Sequence, residues 1–101
     1  MSKVLHEYWY NFGKKEIYHN YLIVKRETPK MFYGDVSDEF FTIGAFSTKK
    51  EHLNKVVEIR NNFKTVYRVQ LDIENEHEAR QRAKELFYEY IMRIAQSIID
   101  D

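Results

Sequence analysis

The chain of 101 residues carries 16 Lys and Arg against 16 Asp and Glu, and 44% of its residues are hydrophobic. This length suits one domain and is too short for two domains with a cleft between them. The absence of cysteine excludes disulfides, zinc ribbons, iron–sulfur clusters and a thiol nucleophile. Because no apolar run approaches the ~20 residues that span a bilayer and no signal-peptide pattern is present, we expect a cytoplasmic protein.

The zero net charge hides an uneven distribution along the chain. Residues 1–70 contain 12 basic and 8 acidic side chains, a net charge of +4, whereas residues 71–101 contain 4 basic and 8 acidic ones, a net charge of −4. This division predicts a basic, strand-rich body followed by an acidic helix. Net charge alone therefore gives no argument for binding nucleic acid.

The N-terminal part predicts a β-hairpin of aromatic and branched residues, with strands at 4–12 and 15–26. Gly13 and the residue after it suit a two-residue type II′ turn, with the positive φ at Gly13. Such a turn sets the register of the hairpin and pairs Tyr8 with His19. Further strands are predicted at 30–33 and 40–46, separated by an acidic loop at 34–39; Pro29 marks the turn before them, and Gly44 suggests a bulge or a close backbone approach.

Residues 48–60 are ambiguous between a helix and a strand. Thr48 and Glu51 have capping-box spacing, and the apolar residues that follow share one helical face, so a short crossover helix is favoured. The alternative is a hairpin in which residues 56–60 form a strand and the next two asparagines form the turn, since asparagine tolerates positive φ.

The last third predicts a half-buried strand over residues 63–73, from its strict alternation of apolar and polar residues, and a helix over residues 75–99 that Asn75 caps. This helix, about 36 Å long, either lies along the whole sheet or packs its last turns on another chain. Tyr88, Met92 and Ile99 flank its apolar stripe and predict either a wide core contact or a homodimer seam. The stripe itself consists of Ala79, Ala83, Leu86, Phe87, Tyr90, Ile91, Ile94 and Ile98.

These elements predict a single α+β domain over residues 1–101, of which residues 1–73 are mainly β. The expected architecture is one antiparallel sheet of four or five strands, a short crossover helix at 48–60, and a long C-terminal amphipathic helix at 75–99 that covers one face of the sheet.

Catalytic and metal-binding patterns are weak in this sequence. His77-Glu78 begins like the zincin helix motif, but Gln81 stands where the second ligand belongs. His6 and His19 approach each other diagonally across the first hairpin and supply at most two ligands, so a structural or surface role is favoured. The three isolated glycines form no phosphate-binding loop. We therefore predict no catalytic, metal-binding or cofactor-binding residues, and an enzyme that uses His6 or His19 is the weaker alternative.

Aromatic and basic residues on the first strands are the remaining signal. Exposed rings stack on nucleic-acid bases while cations follow the backbone, and Tyr and Arg also dominate the hot spots of protein interfaces. The two lysines that precede Glu51 extend this basic surface. The predicted partner-binding residues are Tyr8, Tyr10, Tyr21, Lys25, Arg26, Lys30, Tyr33, Lys49 and Lys50.

Two short segments resemble small proteins of Gram-positive phages and prophages. Residues 24–33 form an extended strand, a Thr-Pro-Lys turn and an aromatic strand, and residues 49–53 follow a Lys-Lys-x-x-Leu pattern similar to a helix start in that group. The resemblance implies an accessory protein of a mobile element, a class that includes stoichiometric inhibitors of host defence such as anti-CRISPR proteins. It implies no catalytic residues.

The resulting expectation is a non-enzymatic accessory protein that binds a macromolecular partner stoichiometrically, with inhibition of a host defence nuclease as its specific form. The expected partner is a protein, and no membrane is involved. The alternative function is a β-sheet module that binds single-stranded nucleic acid. A homodimer through the C-terminal helix is a further expectation.

Overall fold

The computed structural model describes residues 3–11, 13–61 and 64–100. Within them the chain forms one antiparallel sheet in the order β4-β3-β2-β1-β6-β5 and a long C-terminal helix. The predicted α+β class with this helix is confirmed, but the predicted four or five strands are wrong, because the sheet has six. The elements are β1 Lys3–Asn11, β2 Glu16–Glu27, β3 Met31–Ser37, β4 Thr42–Lys49, β5 Val57–Asn61, β6 Lys64–Leu71 and α1 Glu76–Asp100.

The additional strand comes from the segment that was ambiguous in the sequence. Lys50–His52 forms only a 3₁₀ turn, and β5 pairs with β6 as a hairpin. The crossover helix at 48–60 is therefore wrong, and the alternative, a hairpin, is present. Its predicted turn is wrong at Asn61, which belongs to β5 and pairs with Lys64; the second asparagine of that turn lies outside the described residues. Thr48 does not cap a helix but lies buried in β4. The β-branched residues after Lys55 favour a strand over a helix at this place.

The register of the first hairpin agrees with the prediction, because Tyr8 pairs with His19. The turn differs from the predicted one, since the positive φ belongs to Lys15, at 55°, and not to Gly13. The side-chain Oδ1 of Asn11 accepts a hydrogen bond from the backbone N–H of Gly13 at 3.0 Å. This contact stabilises the start of the turn, as asparagine commonly does.

A bulge in β2 explains why a glycine stands in β3. The pairing of β2 with β3 shifts between Val24 and Arg26, and the backbones approach closely beside it. A Cβ atom on Gly34 would lie 1.8 Å from the carbonyl oxygen of Ile23, so only glycine fits there.

Residues 34–37 belong to β3, not to the predicted acidic loop. The bulge expected near Gly44 is present between β3 and β4, but no close approach occurs there, because the space around Gly44 is open.

One core lies between the sheet and α1. Tyr8, Val69 and Leu71 from β1 and β6 are completely buried, and they pack with residues of the helix. The small side chains Ala79 and Ala83 are buried there as well and allow the helix to approach closely. A backbone hydrogen bond from Glu78 to the Asn75 side chain, 3.0 Å long, confirms the predicted N-cap.

The C-terminal half of α1 extends beyond this core. Ile94 and Ile98, which were predicted as part of the buried stripe, are 38% and 72% exposed. The prediction is wrong for these two residues because a helix of 25 residues, about 37 Å long, is longer than the part of the sheet it covers. Tyr88 and Met92 are also exposed, and the side chain of Ile99 lies outside the described residues.

The opposite, concave face of the sheet carries a further core. The sheet curls so far that β4 reaches β6, which is not its neighbour: the Thr48 hydroxyl donates a hydrogen bond to Gln70 Oε1 at 2.7 Å. Gln70 Nε2 in turn donates to the buried carboxylate of Glu7 at 2.6 Å. This polar chain closes the curl beside an apolar cluster that comprises Leu5, Leu22, Val24, Phe32 and Leu53.

Candidate functional site

Six of the predicted partner-binding residues gather at one end of the sheet. Cross-strand pairing puts Arg26 and Tyr33 on one face, and Lys49 lies on the same face beside Met31. Lys25 joins them through an ion pair with Asp35 of β3. These four residues, Lys25, Arg26, Tyr33 and Lys49, form the basic face. This face is on the same side of the sheet as α1, but the helix packs on β1 and β6 and leaves it uncovered.

The geometry of the basic face leaves cations available to a partner. The guanidinium carbon of Arg26 lies 4.3 Å from the centroid of the Tyr33 ring, and such stacking leaves the in-plane N–H donors of the guanidinium unused. Lys25 is 63% exposed and 2.6 Å from the Asp35 carboxylate. Among the described residues, Arg26, Lys30 and Lys49 form no ion pair. The face therefore carries charge that the chain itself does not neutralise.

The turn between β2 and β3 lies at the same end of the sheet, and Lys50 beside it packs on the opposite, concave face. Lys50 Nζ lies 2.5 Å from a carboxylate oxygen of Glu27 and 4.8 Å from the centroid of the Phe32 ring. The backbone N–H of Lys50 donates to the carbonyl of Lys30 at 2.8 Å, which ties the 3₁₀ turn to the start of β3. A cavity of about 520 Å³ lies here, lined by Pro29, Lys30, Met31, Lys49, Lys50 and Glu51.

The other three predicted residues lie beside or beneath α1 instead. Tyr8 is completely buried, and burial, with the nearby charge of Glu76, raises its pKa to about 12. The Tyr10 ring packs 5.7 Å from that of Phe87, between centroids. The Tyr21 hydroxyl donates to the Glu76 carboxylate at 3.3 Å. All three occupy the stretch of β1 and β2 nearest the helix, so the structure does not bring them onto the basic face.

The histidine pair that the sequence suggested is present beneath the start of α1. His6 Nδ1 lies 2.8 Å from His19 Nε2, and His6 Nε2 lies 2.8 Å from the backbone oxygen of Glu74. Both ring nitrogens of His6 are thus engaged in hydrogen bonds. Burial lowers the pKa of His19, and the neighbouring His6 lowers it further. The described part of the chain holds no group of three or more His, Asp or Glu residues placed to bind a metal ion.

Sequence reasoning missed an apolar hairpin tip between β3 and β4. Phe40 and Phe41 are 77% and 73% exposed. Asp38 accepts hydrogen bonds from the backbone N–H groups of both residues, at 2.8 and 2.7 Å, and these bonds lower the pKa of its carboxyl. The two rings were assigned to a strand that in fact begins at Thr42. The available signal was an aspartate two residues before the first phenylalanine, because aspartate is typical of a turn.

Comparison of the chain with protein-family models, curated proteins and solved structures finds no match. Of the helical segments that the structure describes, none is both long enough and apolar enough to cross a membrane.

Proposed function

We propose that this chain is a non-enzymatic binding protein that forms a stoichiometric complex with an acidic surface of a protein partner through its basic face. The observation that carries the proposal is the stacked pair of Arg26 and Tyr33 together with Lys49, which forms no ion pair among the described residues. Arg and Tyr are enriched among residues that dominate binding energy. Unpaired cations accelerate encounter with an acidic surface and disfavour basic ones.

The edge position of β4 supports the same proposal. β4 is the outermost strand beside the basic face, so the backbone groups on its outer side have no neighbouring strand of the sheet. An edge of this kind accepts an extended segment of a partner by strand addition. Lysines at the edge protect it against pairing with further copies of the same chain, and Lys49 stands at its end.

The resemblance to phage accessory proteins gives the proposal a specific form, in which the partner is a host defence nuclease. Purified protein titrated into an RNA-guided DNA nuclease should abolish cleavage at one equivalent, without covalent change to either protein. Loss of nuclease activity that grows with time at substoichiometric amounts would instead indicate an enzyme. Unchanged cleavage would remove this specific form and leave the general binding proposal to the next experiment.

Charge reversal on the basic face tests the general proposal. The partner is a protein that the wild-type chain binds in equimolar amount. The double variant Arg26→Glu/Lys49→Glu should bind this partner about 100-fold more weakly or worse. Lys64→Glu is the matched control, because Lys64 is exposed but lies at the far side of the sheet, on β6. Titration calorimetry with the purified partner gives the three affinities. Equal losses in both variants, or no loss in the double variant, would contradict the proposal.

Binding of single-stranded nucleic acid is the alternative outcome. It requires exposed rings as well as cations, and of the predicted rings Tyr8 is buried while Tyr33 is covered by Arg26. Fluorescence anisotropy with labelled oligonucleotides separates the two functions. An affinity that falls steeply with salt concentration and disappears in the double variant would favour nucleic acid over protein.

A further inference from the structure

A second cavity opens on the concave side of the curled sheet, on the face opposite to the basic face. It has a volume of about 400 Å³ and lies between β4 and the β1–β6 part of the sheet. This volume is within the range of small-ligand sites. Its wall on β4 is largely apolar, and its opposite wall is polar and aromatic. The residues that matter for its chemistry are Trp9, Asn20, Ile43, Phe46, Arg68 and Gln70.

The polar wall is held in place by the carboxylate of Glu7, which is only 4% exposed. Its oxygens accept hydrogen bonds from Trp9 Nε1 at 2.7 Å, Asn20 Nδ2 at 3.2 Å and Gln70 Nε2 at 2.6 Å. Three donors thus compensate the buried negative charge. They also fix the orientation of the indole and of both amides, so the wall is organised before any ligand arrives.

Arg68 is the one cation on this wall, and the described chain gives it no anion. It pairs with Trp9 across the strands, and its guanidinium carbon lies 5.7 Å from the centroid of the indole ring. Its Nε is buried and has no hydrogen-bond acceptor among the described residues. Glu7 lies on the same face of the sheet, yet no ion pair joins it to Arg68. A buried donor of a charged group without an acceptor is costly and uncommon in proteins.

We propose that this cavity binds an organic anion, meaning a small molecule with an apolar body and a carboxylate or phosphate group. The anionic group accepts hydrogen bonds from the guanidinium of Arg68, which suits the planar, forked geometry of such pairs. The apolar body lies between the Trp9 ring and the apolar wall that includes Phe46 and Ile43. The site is independent of the proposed partner-binding function, because it uses the opposite face of the sheet.

Two side-chain NMR signals report directly on this cavity. Trp9 is the only tryptophan of the chain, so its indole N–H gives a single resonance, and the Nε–H of Arg68 gives the second signal. Benzoate and phenyl phosphate serve as the two anionic probes and benzamide as the uncharged one. We expect saturable shifts of both signals with one or both anions, at a dissociation constant of about 1 mM, and binding of benzamide weaker by at least about tenfold.

Two variants test the assignment by different routes. Arg68→Gln removes the cation and should weaken anion binding at least about tenfold. Gly44→Leu should block the cavity sterically: a Cβ at this position meets nothing within 4 Å, and no glycine in the described chain has a positive φ. The matched control is Arg60→Gln, which removes an arginine with an 80% exposed side chain outside the cavity.

Three results would overturn the proposal. The first is the absence of saturable shifts with both anions, and the second is equal binding of benzamide. The third is wild-type affinity in folded Arg68→Gln or Gly44→Leu protein. Saturable binding of benzoate or phenyl phosphate that both variants weaken and Arg60→Gln leaves unchanged would support it, and the tighter probe would identify the preferred anionic group. None of these results depends on whether a protein partner binds the basic face.

Discussion

The hydrogen bonds of Gln70 hold together two parts of the sheet that are not neighbours in strand order. Its amide nitrogen donates to Glu7 at 2.6 Å, and its amide oxygen accepts from the Thr48 hydroxyl at 2.7 Å. All three side chains are buried. The substitution Gln70→Leu keeps the approximate volume of the side chain but removes both hydrogen bonds, and it leaves a carboxylate oxygen and a hydroxyl buried without these partners.

The expected loss follows from the two contacts. A hydrogen bond to a charged group contributes about 1.5–3 kcal/mol and a neutral one about 0.5–1.5 kcal/mol, so Gln70→Leu should lower the free energy of unfolding by roughly 2–4.5 kcal/mol. Domains of this size have about 5–15 kcal/mol in total. At roughly 4–8 °C per kcal/mol, the melting temperature should fall by at least about 8 °C.

Urea denaturation followed by Trp9 fluorescence measures this loss, because Trp9 donates a hydrogen bond to Glu7 in the same network. Thr48→Val is the matched control: it removes only the neutral bond and should cost about 1 kcal/mol. The double variant should be only slightly less stable than Gln70→Leu, since both substitutions remove the same Thr48 contact. If Gln70→Leu stays within about 0.5 kcal/mol of the wild type, the network does not close the curl.

Two further predictions concern pH and association. Burial lowers the pKa of His19 below its ordinary 6.5, so the unfolded chain takes up the proton more readily than the folded one. The free energy of unfolding should therefore fall as the pH drops below about 6.5, by at most ~1.4 kcal/mol per pH unit. The urea midpoint measured against pH should show this slope, and His19→Gln should flatten it. The exposed side chains of Tyr88 and Met92 on α1 predict a homodimer. Analytical ultracentrifugation should therefore give the mass of a dimer for the wild type and half that mass for Met92→Glu. A wild-type protein that is monomeric at all concentrations would contradict the predicted dimer.

The fold could be predicted from the sequence where local pattern and tertiary packing agree. The alternation over residues 63–73, the cap at Asn75 and the register that pairs Tyr8 with His19 all depend on short-range rules. The cap and the register are correct, and the alternation corresponds to β6, which ends at Leu71, two residues earlier than predicted. The segment after Thr48 was assigned wrongly because its apolar residues fit a helical face as well as a strand. The β-branched residues after Lys55 favour a strand there, but the pairing with β6 that decides for it cannot be read from local sequence.

The candidate site was predictable in part, for a related reason. The residues from Lys25 to Tyr33 are close in sequence around one turn, so their clustering follows from the hairpin itself. The prediction that Tyr8 lies on the binding surface is wrong, because the sequence does not show which face of the sheet a distant helix covers. The cavity at Arg68 was not predicted at all, since it arises only when the sheet curls and brings β4 to β6.

Strand alternation makes the two proposed sites separable by mutation. Neighbouring residues of a strand point to opposite faces, and in β4 Lys49 belongs to the basic face while Thr48 donates to Gln70 on the concave side. Lys49→Glu therefore alters partner binding without touching the polar network, and Gly44→Leu fills the cavity without altering the charge of the basic face. If Gly44→Leu nevertheless weakened partner binding, the β3–β4 hairpin would have to transmit a change between its two faces, which a rigid sheet does not do.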